Sequence, residues 1–134
     1  MARISRQLVK AVAQRAQGAC EYCRLPEAAT TLIFQPDHVI ATKHEGKSDL
    51  SNLAWSCFYC NSYKGPNIAG IDPVSGKLTR LFHPRTDAWD QHFEWKGTWL
   101  RGKTPVGRTT VHVLNINHMD MVALRTELKR EGML

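Results

Sequence analysis

Cys20-Glu21-Tyr22-Cys23 and Cys57-Phe58-Tyr59-Cys60 are two C-x2-C pairs separated by 33 residues. Within each pair the two-residue spacing lets both thiolates turn toward one ion, and two such pairs complete a tetrahedral shell of four sulfurs. That donor set selects zinc. Two other readings stand beside it: a disulfide pair, which belongs with secreted chains, and a thioredoxin-like redox motif, which uses a single C-x2-C. A closed four-sulfur shell leaves no open coordination position. A Zn2+ held by Cys20, Cys23, Cys57 and Cys60 is therefore expected to be structural, with any chemistry placed elsewhere.

Working outward from the knuckles, residues 32–40 are rich in β-branched and aromatic side chains, and residues 53–56 form a second short apolar run. The polar stretch from Ala41 to Ser51 joins them, so two strands linked by a long exposed loop are predicted. Residues 61–65 end before Pro66, which leaves room for a short helix or a turn. Upstream, Ile4, Leu8, Val9, Val12 and Ala16 share one helical stripe, with Ser5 as a cap and Gly18 as a stop, predicting a helix over residues 5–17. Downstream, Pro66, Gly70, Pro73 and Gly76 mark irregular chain with a hairpin around Ser75-Gly76. Thr104-Pro105 opens a helix to about Leu114, and residues 119–130 form a last one. Trp55 alternates with Leu53 and reads as core, while Trp89, Trp95 and Trp99 fall in a strand-like stretch and read as core or cover.

The chain has 134 residues, with 18 Lys and Arg against 12 Asp and Glu, 43% hydrophobic and 22% charged, the profile of one soluble globular domain. No apolar run is long enough to span a bilayer and no secretory apolar block stands near the N-terminus, so the expectation is a cytoplasmic chain that does not engage membranes. Arg3, Arg6, Lys10 and Arg15 give residues 1–19 an acid-free, transit-peptide-like look, but the segment runs without a break into Cys20 and reads instead as the first helix. The net charge of +6 is shared equally between the halves, with neither a basic nor an acidic tail. A pI near 9.4 favours a polyanionic partner.

Between and after the knuckles stand, in order, Asp37-His38-Val39-Ile40, His44, Asn52-Leu53 and Asn61-x2-Lys64-Gly65. In this order and frame, residues 20–65 resemble a zinc-containing HNH endonuclease. The run Leu81-Phe82-His83-Pro84-Arg85, with Trp89 and His92-Phe93, is similar to C-terminal text of one bacterial subgroup of that family. The resemblance implies an α+β fold: a ββα-metal (HNH) core with a structural four-cysteine zinc site and helices added at both the N- and C-terminal ends. The organisation expected is a single domain over residues 1–134, with an N-terminal helix in 1–19, the knuckles and core in 20–65, and an extension in 66–134.

The same resemblance makes Asp37 and Asn61 ligands of a catalytic Mg2+ or Mn2+, His38 the general base, and Asn52 the asparagine that braces the loop. Hard oxygen donors suit those ions, and histidine suits the base role because free imidazole titrates near about 6.5. The last motif position is Asn61 rather than His, Ala41 stands where proline is common, and Glu45-Gly46 replaces a glycine pair. Since neighbouring strand residues face opposite ways, Asp37 and His38 predict a local distortion or a site approached from the strand edge. His44, Lys64, His83 and Arg85 are candidate phosphate or auxiliary contacts, and His92 reads as structural. The expected substrate is double-stranded DNA, nicked one strand per centre, so that double-strand cleavage needs a homodimer or successive nicks. The competing class is a non-catalytic zinc module that binds nucleic acid.

Overall fold

The computed structural model describes residues 4–134; Arg3 and the start of the 1–19 segment lie outside the described residues. Helix α1 (Arg6–Arg15) begins where Ser5 Oγ accepts from the Leu8 N–H at 3.2 Å. It ends where Gln17 and Gly18 take positive φ, the conformation that terminates a helix. The first knuckle follows directly.

Strands β1 (Gln35–His38) and β2 (Leu53–Ser56) pair antiparallel, with Asp37 opposite Ala54 and His38 opposite Leu53. The predicted strand over 32–40 is shortened because β2 offers only four partners; Ile33 stands outside the sheet and is exposed. The ladder runs on regularly through a Val39 N–H bond to the Asn52 carbonyl, so no distortion separates Asp37 from His38. Helix α2 (Phe58–Lys64) starts at the second knuckle rather than after it, capped by the Cys57 sulfur. The order β1, β2, α2 is the expected ββα unit.

Beyond it, β3 (Ala69–Ile71) and β4 (Leu78–Arg80) form the predicted hairpin, closed by Gly76 at φ 72° and an Asp72 N–H bond to the Lys77 carbonyl. A short helix α3 (Trp89–His92) leads into the hairpin of β5 (Phe93–Lys96) and β6 (Trp99–Gly102). Helices α4 (Pro105–Val113) and α5 (Met119–Arg130) follow, the first capped by Thr104 as its sequence predicts. The fold is α+β. Among the tryptophans, Trp55 is core; Trp89 sits in a helix rather than a strand; and Trp99, expected to be buried or covering, is 54% exposed because it occupies an outward position of β6. No described helix is long and apolar enough to cross a membrane.

A continuous core runs from Val12 through Tyr22, Leu53 and Phe82 to Leu114 and Leu128, so the knuckles and the C-terminal extension share one interior. Arg125 of α5 is fully buried within it. Its guanidinium donates to the carbonyls of Thr98 (2.8 Å) and Ile116 (2.9 Å) and to Asn117 Oδ1 (3.0 Å), with no carboxylate among these partners.

Candidate active site

The four cysteines are buried, and their sulfurs all lie within 4.8 Å of one another; Cys23 Sγ and Cys57 Sγ are 3.7 Å apart. Zn–S bonds of about 2.3 Å in a tetrahedron space the sulfurs about 3.8 Å apart, so the cluster fits a zinc ion with little rearrangement. Backbone N–H groups of Cys23 and Cys60 point at the sulfurs of Cys20 and Cys57, which is how a two-residue knuckle stabilises thiolate charge. Burial opposes a charge on Cys20, yet hydrogen bonds from Cys23, Cys57 and Cys60 outweigh it and hold that thiol well below its usual range. Burial pushes the Arg125 guanidinium down as well, while the Cys23, Cys60 and Cys57 charges act the other way.

Tyr22, inside the first knuckle, is fully buried and donates its hydroxyl to Asp37 Oδ2 at 2.7 Å. Burial, with the Asp37 charge next, pushes the Tyr22 hydroxyl well above its ordinary range, so it remains a donor. From α2, Lys64 Nζ reaches Asp37 Oδ2 at 3.1 Å and the His38 carbonyl at 3.0 Å. Asp37 is therefore a buried carboxylate held between a knuckle tyrosine and a helix lysine. Burial raises its carboxyl above the usual range against the pull of Lys64 and Tyr22.

Lys64 is accordingly not a surface phosphate contact. It is completely buried, because α2 turns this face onto β1. Asn61 lies three residues earlier and so shares that face; it is half-buried.

His38, on the other side of the strand, is half-buried and places Nε2 at 2.8 Å from Ser48 Oγ. The loop carrying Ser48 is fixed by Asn52, whose amide donates to the carbonyls of Ile40 (2.9 Å) and Lys47 (2.8 Å) while its Oδ1 accepts from the Ile40 N–H (2.9 Å). A side chain at Gly46 would put its Cβ 1.6 Å from the Ile40 carbonyl oxygen, so only glycine fits there. Glu45, where the paired glycine is missing, adopts a left-handed φ of 68° all the same. His44 is exposed on this loop, between Lys43 and Lys47, which are exposed too.

The extension supplies less of the site than its sequence suggests. Arg85 pairs with Glu21 of the first knuckle, and its Nη1 is buried without a partner. Glu21 also accepts from the Trp55 N–H at 2.7 Å, so Arg85 ties the extension to the zinc module. His83 accepts from the Arg85 N–H through Nδ1 and lines a small cavity of 210 Å3 beside Val39 and Ile40. Burial lowers its imidazole below the ordinary value, with Asp87 opposing. His92 bonds Thr104 at 2.6 Å and braces the start of α4.

Tyr22 and Ser48 are the residues that the sequence reading missed. Tyr22 carried a weak signal, a phenol inside a metal knuckle; Ser48, one polar residue in a polar loop, carried none.

Residues 20–67 match the family model described as HNH endonuclease. The chain is similar to a Septu protein PtuA from Bacillus mycoides (strain KBAB4), 28% identical over 139 residues that cover 85% of this chain and 20% of that protein. It is also similar to a Septu protein PtuB from Bacillus thuringiensis, 26% identical over 112 residues that cover 82% of this chain and 41% of that one. The chain thus spans less than half the length of either curated relative. No solved structure matches it. Residues 20–67, with two cysteine knuckles and the unit β1–β2–α2 whose helix starts at the second knuckle, thus match the HNH endonuclease family model in sequence and carry an α+β arrangement consistent with it.

Proposed function

We propose that this chain is a divalent-metal-dependent endonuclease that hydrolyses phosphodiester bonds of double-stranded DNA, one strand per active centre. The observation that carries the reading is the reach of Lys64 to Asp37 and the His38 carbonyl, because it lays the Asn61 face of α2 onto the Asp37–His38 strand. Asp37 and Asn61 would hold Mg2+ or Mn2+. A carboxylate offers about four acceptor positions. Tyr22 and the closer Lys64 contact use Oδ2, while Oδ1 has only Lys64 at 3.4 Å and keeps capacity for a cation. When bound, such an ion neutralises charge that builds on the scissile phosphate and the departing oxygen.

The protein's own share of the chemistry falls to His38, which lies across β1 from Asp37, so the scissile phosphate would reach both from the edge of the strand. In the tautomer that donates Nε2–H to Ser48 Oγ, the ring would present Nδ1 as the atom that takes a proton from the attacking water. Asn52 acts through the loop, keeping Ser48 and hence the imidazole in place; it is a positioning residue. Phosphate contacts pass from Lys64 to Lys43, His44 and Lys47, exposed on the loop next to His38. A homodimer, or two successive events, would be needed to cut both strands. The second reading, a nucleic-acid-binding module without chemistry, draws on the same lysine: a carboxylate already neutralised by Lys64 has less need of a metal.

Cation binding separates the two. The zinc-loaded chain is expected to bind one Mn2+ in an electron paramagnetic resonance titration. Asp37→Asn should weaken that binding by roughly tenfold or more, as for loss of a charged ligand, and Asn61→Ala should weaken it less, with zinc content unchanged in both. Equal Mn2+ affinity in the wild type and both variants removes the proposed ligand set.

A further inference from the structure

Outside the HNH segment lies a cleft of 580 Å3 between the tip of the β3–β4 hairpin, the end of β6 and helix α4. Its size falls within the range of small-ligand sites, about 300–1,000 Å3. Arg101, Lys103 and Arg108 line it together with His112; no carboxylate is among its lining residues, although Glu94, across the β5–β6 ladder, pairs with Arg101 Nη1 at 3.3 Å. The hairpin contributes Val74 and helix α4 contributes Val111, giving one apolar wall beside the cationic one.

The cationic wall is built rather than incidental. Arg108 donates Nε and Nη2 to the two oxygens of Asp72 at 3.0 and 2.8 Å. Asp72 is itself fully buried and accepts from the Val74 N–H and the Ser75 hydroxyl. That pairing fixes the plane of the guanidinium and leaves its Nη1 edge outside the ion pair. Gly102 rests so close to α4 that an added Cβ would lie 2.2 Å from the Arg108 nitrogen. The strand end carrying Arg101 and Lys103 is thereby pinned beside Arg108. A fixed guanidinium with two further cations recognises phosphate oxygens, and an adjacent apolar wall with the Asn115 amide suits the face and edge of a base.

We propose that this cleft binds a nucleoside phosphate unit, with the phosphate on Arg101, Lys103 and the free edge of Arg108 and the base against Val74 and Val111. The unit can come from a free nucleotide or from one nucleotide of a DNA strand. The cleft is formed by residues after the HNH segment, so its failure as a site leaves the nuclease reading standing.

The test is calorimetric titration of the zinc-loaded chain with AMP, and fluorescence anisotropy of a labelled single-stranded oligonucleotide with the His38→Ala chain, both at low salt. Each is repeated with Arg101→Ala/Lys103→Ala, which removes two exposed side chains and leaves the Arg108–Asp72 pair intact. AMP binding that falls roughly tenfold or more in the double variant, the loss of charge-assisted contacts, supports a free-nucleotide site. Binding of the oligonucleotide alone, reduced to the same extent, supports the strand as the source. No binding of either probe, or equal binding by the double variant, overturns the proposal.

Discussion

Replacing Cys57 with serine, or withdrawing zinc with a strong chelator, is expected to abolish cooperative folding of the whole chain rather than loosen one corner of it. Zinc held by four cysteines contributes on the order of 10 kcal/mol or more to folding, as much as the entire stability of an ordinary domain. Here the four sulfurs join the chain after α1 to the junction of β2 and α2, and Tyr22 of the first knuckle sits fully buried in the common core. Glu21, between the same two cysteines, holds Arg85 of the extension, and Arg125 of α5 is fully buried in the shared interior. Loss of the ion would leave four buried sulfurs without the cation that holds them together. Circular dichroism with metal analysis should therefore find one zinc per folded chain and unfolding that follows zinc loss. A metal-free chain with the wild-type melting transition would contradict this account.

Lys64→Met is expected to destabilise the chain by about 3–5 kcal/mol, the usual cost of stranding one charge of a buried pair. Lys64 and Asp37 side chains are 1% and 6% exposed, so water is a poor replacement for the lost partner. Only the Tyr22 hydroxyl remains on the carboxylate. The direction with pH follows. Burial already raises the Asp37 carboxyl, and loss of Lys64 raises it further. Protonated Asp37 needs no counterion, so the deficit of Lys64→Met shrinks as pH falls below the folded-state value and widens as pH rises through it. Adding Asp37→Asn to Lys64→Met should recover much of the loss, because a neutral amide replaces the stranded charge. Denaturant unfolding of the two single variants and the double variant measures this coupling. Simple additivity, or a wild-type midpoint for Lys64→Met, would mean that the pair does not hold β1 to α2.

The parts of the fold and site that were legible in the sequence are those set by local spacing. Two C-x2-C pairs fix where four sulfurs meet, Ser5 and Thr104 announce the starts of their helices, and Ser75-Gly76 announces a hairpin. The ordered Asp37-His38, Asn52 and Asn61 text pointed to the ββα unit, and the Asn52 hydrogen bonds span the loop that its position between the strands suggested. What was illegible depends on how elements are turned against each other. A lysine one turn after a knuckle can face solvent or core, and only the docking of α2 on β1 sends Lys64 inward. Arg85 reads as a phosphate clamp until its partner Glu21, 64 residues away, is in view. The exposure of Trp99 and the helical setting of Trp89 are illegible for the same reason, since neither hairpin register nor the short α3 turn is written in the local pattern, although Trp89 does pack against the core as expected.

The proposed cutting of DNA rests on Asp37 and His38. Its most direct test is cleavage of supercoiled plasmid by the zinc-loaded chain with Mg2+ or Mn2+, run beside a His38→Ala chain of equal zinc content and melting temperature. The expected result is metal-dependent conversion to the open-circular form, reduced by roughly 100-fold or more in His38→Ala, the scale of a general base. Nicking that persists undiminished in His38→Ala, or DNA bound but uncut by the wild type with either ion, would contradict it.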